Sequence, residues 1–474
     1  MSTRLLRDLT KDVVIVGAGI AGLVAAWSLR DRDAVLLEAE GRVGGRIRSE
    51  PRGAYWLNLG AHLFPPAESC LGRIVSELGL ETIPVQAGLT GLASNGRVLS
   101  RGRVETYPFR LPMPMGARVS FLRAGLRIHA GVREYLAVAR PMETESSGQM
   151  RARLLAYRDD QTFAEYLGPV HPEVSSILRA AVNRVSAEPE ELAAGAGLAL
   201  FQFAGIFSRG REASQHGNVS GGSSNVPDRL ARTLGDRVVL GAEVTRVAQE
   251  DHLVRVEFNQ GGSSQNVLAR AVIVATPAPV AHRIVTGLPP GLADALAAIT
   301  YGPYVVGAIL TKEVGPMPWD RIYAMVAVGK SFNLLVNTAS ILRSGAAREP
   351  GGTLMVYGSA DRGRVLLEKT DQEIRDCFLR DLQDVYPESR GIVDEVVIQR
   401  WALGVPYARP GRHRIQAVLE QPVGNILLAG DYTAPFAEME TAAESGADAA
   451  MKVELILGDQ GRVGKRPSEG RSKK

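Results

Sequence analysis

Short runs of apolar and β-branched residues alternate with helix-like stretches near the start of the chain. The run DVVIV begins at Asp12 and is followed by a glycine-rich turn and by IAGLVAAWSLRD, whose pattern favours a helix. A second apolar run, AVLLEAE, occupies 34–40. Unbroken runs of this kind are typical of parallel strands that are buried on both faces. The sequence therefore predicts a βαβ unit at this end of the chain.

Similar buried strands return much later, after segments of a different character. RVVL at 237–240 and AVIVATP at 271–277 flank a polar hairpin, and GNILLAGD at 424–431 precedes another helix. Between these strands, 86–225 is helical and rich in arginine, whereas 291–394 mixes strands such as VVGAIL with an amphipathic helix. The buried strands therefore predict one sheet that is assembled from distant parts of the chain.

This order predicts an α/β protein with two domains, in which a discontinuous Rossmann-like domain carries an inserted domain of mixed sheet and helices. The predicted boundaries are 1–85, 226–290 and 395–457 for the nucleotide-binding domain, and 86–225 and 291–394 for the substrate-binding domain. The segment 458–474 is basic, poor in apolar residues and rich in glycine and serine, so we predict a disordered tail there.

Charge and cysteine content exclude several classes of protein. The net charge is +4, but the basic tail accounts for it, so the remaining chain is close to neutral and we expect no nucleic-acid partner. Two distant cysteines give no metal-site spacing and fit a reducing cytoplasm, so we expect no metal. The start of the chain lacks the apolar core of a signal peptide, and the apolar run 192–207 is too short to span a membrane. We therefore expect a cytoplasmic protein.

One internal stretch, 101–140, carries eight arginines against two glutamates. A solvated surface explains this stretch most simply. A binding surface for an acidic substrate or for an anionic membrane is the alternative, and peripheral membrane contact stays open on that basis.

The turn after the first strand has the spacing G-x-G-x-x-G. Gly17 permits the tight turn, Gly19 lets the backbone approach a pyrophosphate, and Gly22 lets the helix pack on the strand. The acidic residue expected for the ribose is Glu38, at the end of the second strand. The predicted dinucleotide contacts from this unit are Gly17, Gly19, Ile20, Ala21, Gly22, Glu38 and Ala39.

The next segment, GRVGGRIRS at 41–49, distinguishes between dinucleotides. Gly44 and Gly45 allow close backbone approach, and Arg42 and Arg46 supply positive charge for phosphates. With the preceding motif, this segment resembles the flavin-containing amine oxidase superfamily, which includes monoamine oxidases, protoporphyrinogen oxidases and carotenoid desaturases. The resemblance implies FAD as the cofactor.

Further segments match that superfamily in order. LGAH at 59–62 resembles its loop beside the isoalloxazine, Val244 resembles its adenine contact, and AGD at 429–431 with METAAESG at 439–446 resembles its C-terminal flavin motif. The additional cofactor contacts that the resemblance implies are Leu59, Gly60, Ala61, Val244, Trp401, Gly430, Asp431, Met439, Glu440, Thr441 and Ala442.

Several positions depart from the monoamine oxidase pattern. The lysine that monoamine oxidases hold near flavin N5 corresponds to the apolar Val306, and the nearest lysine is Lys312. Of the two aromatic residues that cage the amine, one corresponds to Tyr407, but the other corresponds to Glu438. The cysteine that binds flavin covalently in some members has no counterpart near Pro406, so we expect non-covalent FAD.

The segment 162–201 resembles the helical insert of protoporphyrinogen oxidases. Trp401 with Pro406, Tyr407 and Gly411 resembles a separate W…PxY…G segment of the same branch. This favours an oxidase or desaturase that moves hydride from a C–H bond of a ring substrate to flavin N5. The alternatives are an amine or amino-acid oxidase that forms an imine and H2O2, a carotenoid-type desaturase, and a non-catalytic flavoprotein. We expect a small-molecule substrate, acidic if the arginines bind it, and O2 or another electron acceptor. Since such inserts often form dimer surfaces, a homodimer stays open.

Two side chains are candidates for catalysis. His62 follows the flavin-side loop and is a candidate for deprotonating the substrate, although a structural hydrogen bond is the simpler role. Tyr407 is a candidate wall of the pocket, with a buried core tyrosine as the alternative. For Glu438 the choice is between binding a cation and simple solvation.

Overall fold

The structure is a computed structural model that describes residues 10–85, 89–101, 106–203, 216–343, 348–434 and 437–463. The strands are β1 Thr10–Val16, β2 Ala34–Leu37, β3 Ser49–Arg52, β4 Tyr55–Asn58, β5 Thr82–Pro84, β6 Leu89–Ser94, β7 Arg97–Leu99, β8 Gly217–Val219, β9 Val238–Val239, β10 Ala242–Glu250, β11 Leu253–Gln260, β12 Ser263–Val274, β13 Thr300–Thr311, β14 Ala324–Ala327, β15 Leu334–Asn337, β16 Gly352–Ser359, β17 Val393–Tyr407 and β18 Ile426–Leu428. The helices are α1 Ile20–Ser28, α2 Cys70–Glu77, α3 Tyr107–Arg110, α4 Met115–Val138, α5 Ser147–Ala156, α6 Phe163–Leu167, α7 Pro172–Val182, α8 Ala194–Phe203, α9 Asn225–Leu234, α10 Ala278–Ile284, α11 Pro290–Ala297, α12 Ala360–Leu367, α13 Asp371–Val385, α14 Gln416–Leu419 and α15 Met439–Val463.

The first sheet has a parallel centre in the order β18–β12–β1–β2–β9, and β10 and β11 extend it through antiparallel pairing with the first half of β12. Alternate residues of β1 face two different cores. Val13 and Ile15 pack with α1 and α15, whereas Val14 and Val16 pack with the hairpin strands. The predicted βαβ unit and the return of distant strands to one sheet are confirmed.

The second sheet has the order β17–β13–β16–β15–β14–β6–β7, with antiparallel pairs except for the parallel pair of β6 and β14. One face packs on the helices that follow β7, in a core that includes Val306 and Tyr357. The other face packs on α13, whose Phe378 contacts the core of Val305. The second sheet therefore lies between two helical layers, and the predicted α/β architecture with a separate mixed-sheet domain is confirmed.

The structure differs from the sequence prediction at two boundaries and in the content of one segment. The boundary at 395 falls inside β17, which pairs with β13 along most of its length because it continues the second sheet. The segment 86–225 also contributes β6, β7 and β8, in addition to its helices. The predicted tail 458–474 begins inside α15, which continues to Val463, and 464–474 lie outside the described residues.

Within the part of the chain that the structure describes, no helix combines the length and apolar character needed to cross a bilayer. The apolar run that begins at 192 forms α8, which is buried on most of its surface. Residues 204–207 of that run lie outside the described residues.

Candidate functional site

The turn between β1 and α1 leaves an open space at the carboxyl end of the first sheet. Gly17 has a φ of +98°, which an L side chain rarely adopts. A Cβ on Gly22 would lie 1.9 Å from the Gly17 carbonyl oxygen, so the helix and the turn are in direct contact there. A Cβ on Gly19, by contrast, would meet no protein atom within 4 Å. The turn and packing roles of Gly17 and Gly22 are as predicted, and Gly19 borders space that a ligand can fill.

The carboxylate of Glu38 lies at the tip of β2, beside this turn. It accepts hydrogen bonds from the backbone N–H of Ala18 at 2.6 Å and of Glu40 at 2.8 Å. The backbone N–H of Ala242 donates to the carbonyl of Glu38 at 2.7 Å, which brings the start of β10 to the same edge. Val244 lies two residues further along β10 and packs in the core of the first sheet, and its predicted adenine contact stays a prediction.

The second glycine motif lies directly against the first. The backbone N–H of Gly44 donates to the Ala18 carbonyl at 2.8 Å, and a Cβ on Gly45 would approach the Gly19 Cα to 3.4 Å. Arg42 folds back along its own loop, where it donates to the Gly45 carbonyl at 2.8 Å and stacks 5.8 Å from the Trp401 ring centroid. These contacts join the two motifs into one surface, whose backbone can approach a pyrophosphate closely.

Arg46 and Asp431 form a bidentate ion pair that spans the chain. Two guanidinium nitrogens lie 2.8 and 2.9 Å from the two carboxylate oxygens, and Arg46 also donates to the Gly404 carbonyl at 3.0 Å. Burial lowers the pKa of Arg46, but the charge and hydrogen bonds of Asp431 outweigh burial and raise it. Arg46 is therefore held in an ion pair with Asp431, and its predicted contact with the phosphates of FAD stays a prediction.

The loop 59–62 connects the flavin motifs to the second sheet. Trp401 donates its indole N–H to the Leu59 carbonyl at 2.7 Å, and a Cβ on Gly60 would lie 2.1 Å from the Arg46 carbonyl oxygen. His62 Nδ1 lies 3.0 Å from the Gly60 carbonyl, so Nδ1 carries the proton and Nε2 is left as an acceptor. Nε2 is buried and has no hydrogen-bond partner among the described residues.

The electrostatic surroundings keep His62 neutral. Burial lowers its pKa, the hydrogen bond to Gly60 opposes that effect, and the charge of Arg184 lowers the pKa further. A neutral imidazole with a free Nε2 is able to accept a proton from a bound molecule.

The last helix, α15, packs against α1, since a Cβ on Gly446 would lie 2.1 Å from the Ala21 carbonyl oxygen. Glu440 accepts hydrogen bonds from the backbone N–H groups of Cys70 at 2.6 Å and Leu71 at 2.9 Å, so its carboxylate caps α2. Met439 and Ala442 are buried in the core of the first sheet, and the hydroxyl of Thr441 donates to the Glu438 carbonyl at 3.0 Å. A flavin contact from this helix would therefore come from its backbone, because the Glu440 side chain is already engaged.

The two cage positions differ in chemistry. Tyr407 is buried in the core between the second sheet and the helices, and burial and the Glu191 carboxylate raise its pKa. Burial raises the pKa of Glu438 to about 7, with a further contribution from Glu440 and Glu444. Among the described residues, no cation forms an ion pair with Glu438. The second position thus offers an acidic group that has no positive partner.

Neither Val306, which stands at the lysine position of monoamine oxidases, nor the nearby Lys312 brings a lysine side chain to this site. Val306 is 1% exposed and faces the core beneath the helices, in register with Tyr357. Lys312 lies at the far end of β13, where its Nζ pairs with Asp394 at 2.6 Å.

The arginine-rich stretch lies mainly on α4 and faces outward. Met115 and Leu126 on this helix are 71% and 70% exposed, and they border a surface groove of about 780 Å³ together with Arg123. Residues 102–105 lie outside the described residues. A solvated surface agrees with this exposure, and membrane contact stays a prediction.

A further group of side chains, which the sequence did not indicate, lies next to His62. Tyr304, Tyr323 and Tyr357 come from β13, from the start of β14 and from β16, and the rings of Tyr304 and Tyr357 pack edge to face at 5.3 Å. The Tyr323 ring centroid lies 6.5 Å from that of His62. Arg184, after α7, reaches into this group. The chain has 55 lysines and arginines, and Arg184 belongs to no sequence motif that would distinguish it from the others.

The residues of the first sheet fit the dinucleotide part of FAD. Gly19 leaves space that a Cβ would enter, the start of α1 directs free N–H groups toward that space, and Glu38 lies one strand away. In the described residues, no group of three or more His, Cys, Asp or Glu side chains is placed to hold a metal ion.

Comparisons with known proteins agree with this geometry. The family model of flavin containing amine oxidoreductases matches residues 20–453. Amine oxidase [flavin-containing] B of Canis lupus familiaris is 26% identical over 94% of this chain and 86% of its own length, and an L-amino-acid oxidase of Siganus canaliculatus is 27% identical over 93% and 85%. Cyclohexylamine oxidase from Brevibacterium oxydans IH-35A matches the fold with a TM-score of 0.74 at 22% identity, over 95% of this chain and 100% of its own.

These findings confirm the superfamily resemblance and the expectation of an FAD enzyme, but they do not support the leaning toward protoporphyrinogen oxidase. A second solved structure, putrescine oxidase bound to putrescine, matches with a TM-score of 0.75 at 21% identity, over 94% of this chain and 99% of its own. The relatives named here are amine and amino-acid oxidases. The chain belongs to the family of flavin-containing amine oxidoreductases.

Proposed function

We propose that this enzyme oxidises a C–N bond of a small amine or amino acid, with O2 as the electron acceptor. The observation that carries the proposal is Glu438, a carboxylate at the start of α15 that has no cationic partner among the described residues. A buried acid of this kind complements the positive nitrogen of an amine and repels the carboxylates of an acidic porphyrin precursor. The amine and amino-acid oxidases among the relatives support the same choice.

The reaction balances as a two-electron oxidation. A hydride leaves the carbon next to nitrogen and a proton leaves the nitrogen, so the C–N single bond becomes an imine. O2 takes up the two electrons with two protons and becomes H2O2, and water hydrolyses the imine to a carbonyl compound and a smaller amine or ammonia. FAD, when bound, supplies the hydride acceptor.

His62 is the residue that we propose to take the proton. An ammonium nitrogen has no lone pair to assist departure of the hydride, so the amine must be deprotonated first. His62 Nε2 is unprotonated because Nδ1 donates to Gly60, and burial keeps the ring neutral. Tyr304 and Tyr357 supply aromatic walls that orient the substrate and exclude water.

We further propose that FAD is bound without a covalent link. Cys70 starts α2, where its backbone N–H donates to Glu440, and Cys377 lies in α13, so neither corresponds to the linking cysteine expected near Pro406. Acid precipitation of the holoenzyme should therefore release all the flavin into the supernatant. Flavin that stays with the precipitated protein would contradict this proposal.

The proposed activity is tested by peroxide release from a panel of substrates. The panel should contain primary amines, cyclic amines, amino acids and a porphyrinogen, with carbonyl product measured in parallel. We expect equal amounts of H2O2 and carbonyl compound from at least one amine or amino acid. Oxidation of the porphyrinogen without oxidation of any amine would restore the ring-oxidation alternative.

A further inference from the structure

Arg184 has no described carboxylate within ion-pair distance. Arg46 and Arg343 are paired with Asp431 and Glu313, whereas the buried Arg412 also lacks an ion pair and donates instead to the Tyr432 carbonyl at 2.6 Å. Arg184 is only partly exposed and appears in no ion pair among the described residues. Partial burial without an anion is unfavourable for a guanidinium, so a negatively charged ligand would be stabilised at this position.

The backbone around Arg184 is fixed against the second sheet. Tyr304 donates its hydroxyl to the Arg184 carbonyl, and the hydroxyl of Ser186 donates to the Pro303 carbonyl at 2.5 Å. A Cβ on Gly302 would lie 1.9 Å from the Ser186 carbonyl oxygen, so the segment after α7 and the start of β13 are in close contact. This support limits how far Arg184 can move toward solvent.

The guanidinium of Arg184 lies among polar groups that can share an anion. Burial raises the pKa of Tyr357, and the side chain of Arg184 beside it opposes that shift. Burial also raises the pKa values of Tyr304 and Tyr323, and the positive charge of Arg184 opposes both shifts. Asn218 donates to the Tyr323 hydroxyl at 2.9 Å, which leaves the hydroxyl proton available to another acceptor. The cluster therefore presents several donors and contains no carboxylate of its own.

This cluster adjoins the reacting region. Tyr357 pairs with Val306 on the same face of the sheet, at the position where some relatives hold a lysine near flavin N5. Tyr304 is also within electrostatic range of Arg46, which holds Asp431 in the flavin motif. An anion on Arg184 would thus lie on the substrate side of the cofactor.

We propose that Arg184 binds a carboxylate of the substrate, so that the preferred substrates are amino acids or other amines that carry an acidic group. This inference rests on the proposed amine oxidation. Arg184, and not the exposed arginines of 101–140, is then the residue that binds the acidic group of the substrate.

The test compares each amino acid with the amine that lacks its carboxylate. Suitable pairs are phenylalanine with phenethylamine, leucine with 3-methylbutylamine, and ornithine with putrescine, with kcat and KM measured from peroxide release. We expect the native enzyme to favour the acid in at least one pair. In Arg184→Gln, KM for that acid should rise roughly tenfold to a hundredfold, which corresponds to the loss of a charge-assisted hydrogen-bonded pair.

Two matched variants separate recognition from folding. Arg184→Lys keeps the charge but not the planar donor pair, so we expect it to recover part of the lost affinity. Arg123→Gln removes an exposed arginine of α4 and should leave KM for the acid unchanged. Flavin content of each holoenzyme shows whether the variant is folded.

A binding measurement keeps the inference separate from the proposed activity. Benzoate should perturb the flavin spectrum of the holoenzyme and bind at least tenfold more weakly to Arg184→Gln. If no amine or amino acid is oxidised, the proposed function fails, and the benzoate titration still decides the role of Arg184. Equal benzoate affinity in both proteins, or preference for the decarboxylated amine in every pair, would overturn the inference.

Discussion

The contrast between Gly19 and Gly22 gives the sharpest prediction about the cofactor site. Gly22→Ala places a methyl group 1.9 Å from the Gly17 carbonyl oxygen and 3.3 Å from the Ala275 Cβ. Both neighbours belong to the packed junction of β1, α1 and β12, so the added atom forces them apart. We expect the apoprotein to lose about 1–3 kcal/mol of unfolding free energy, the usual cost of overpacking.

Gly19→Ala should act on the cofactor and not on the fold. Its backbone φ of −67° suits alanine, and the new methyl group meets no protein atom within 4 Å. The apoprotein should therefore lose less than about 1 kcal/mol, the difference between glycine and alanine at a helix N-cap. The methyl group would, however, occupy the space through which the backbone approaches the pyrophosphate. Loss of one charge-assisted hydrogen bond, about 1.5–3 kcal/mol, weakens FAD binding about 10- to 100-fold.

Two assays separate these effects. Urea unfolding of the apoproteins measures the fold, and quenching of flavin fluorescence on titration measures FAD affinity. Gly291→Ala is the matched control, because a Cβ there also meets no atom within 4 Å and the residue lies in α11, outside the flavin motifs. Native FAD affinity in Gly19→Ala would refute the placement of the pyrophosphate at this turn.

Further predictions concern the substrate side and its support. His62→Gln should reduce kcat/KM for amines. In the native protein the pKa of His62 is lowered by folding, so only the unfolded state takes up a proton on this side chain as the pH falls below about 6.5. Between about pH 7.5 and 5.5 the unfolding free energy should therefore fall less in His62→Gln than in the native protein. An identical loss in both proteins would show that His62 is not buried in the neutral form. As the pH rises through about 7, Glu438 should ionise and bind a cationic amine more tightly; Glu438→Gln should flatten that part of the KM profile, and an unchanged profile would remove Glu438 from amine binding. Trp401→Phe removes the 2.7 Å hydrogen bond to the Leu59 carbonyl and should cost about 0.5–1.5 kcal/mol of unfolding free energy, whereas no change would mean that this bond is compensated. If α4 contacts membranes, Leu126→Glu should weaken sedimentation with anionic vesicles, and equal sedimentation would argue against this face.

Local pattern was sufficient to predict the nucleotide-binding half of the molecule. The apolar run before Gly17, the glycine spacing and Glu38 all act within one βαβ unit, so their geometry follows from adjacent residues. The same holds for α13, where Thr370 and Glu373 form the capping box that precedes an amphipathic helix.

The substrate side depends on contacts between distant segments, which a single sequence does not display. Arg46 meets Asp431 across 385 positions, and Glu440 caps α2 across 370, so neither side chain is free in the way that its motif suggested. Arg184 becomes a candidate binding residue only because folding brings it beside tyrosines from three distant parts of the chain. The leaning toward a porphyrinogen substrate rested on diffuse similarity in the helical insert, where packing constrains the sequence more than chemistry does.

The central claim, that this flavoenzyme removes hydride from the carbon next to an amine nitrogen, is tested most directly by anaerobic reduction of its flavin. The holoenzyme should be mixed without oxygen with an amine or amino acid from the panel and with the same compound deuterated at that carbon. We expect the yellow colour to bleach, and to bleach more slowly with the deuterated compound. Bleaching by a porphyrinogen and by no amine or amino acid would contradict the claim.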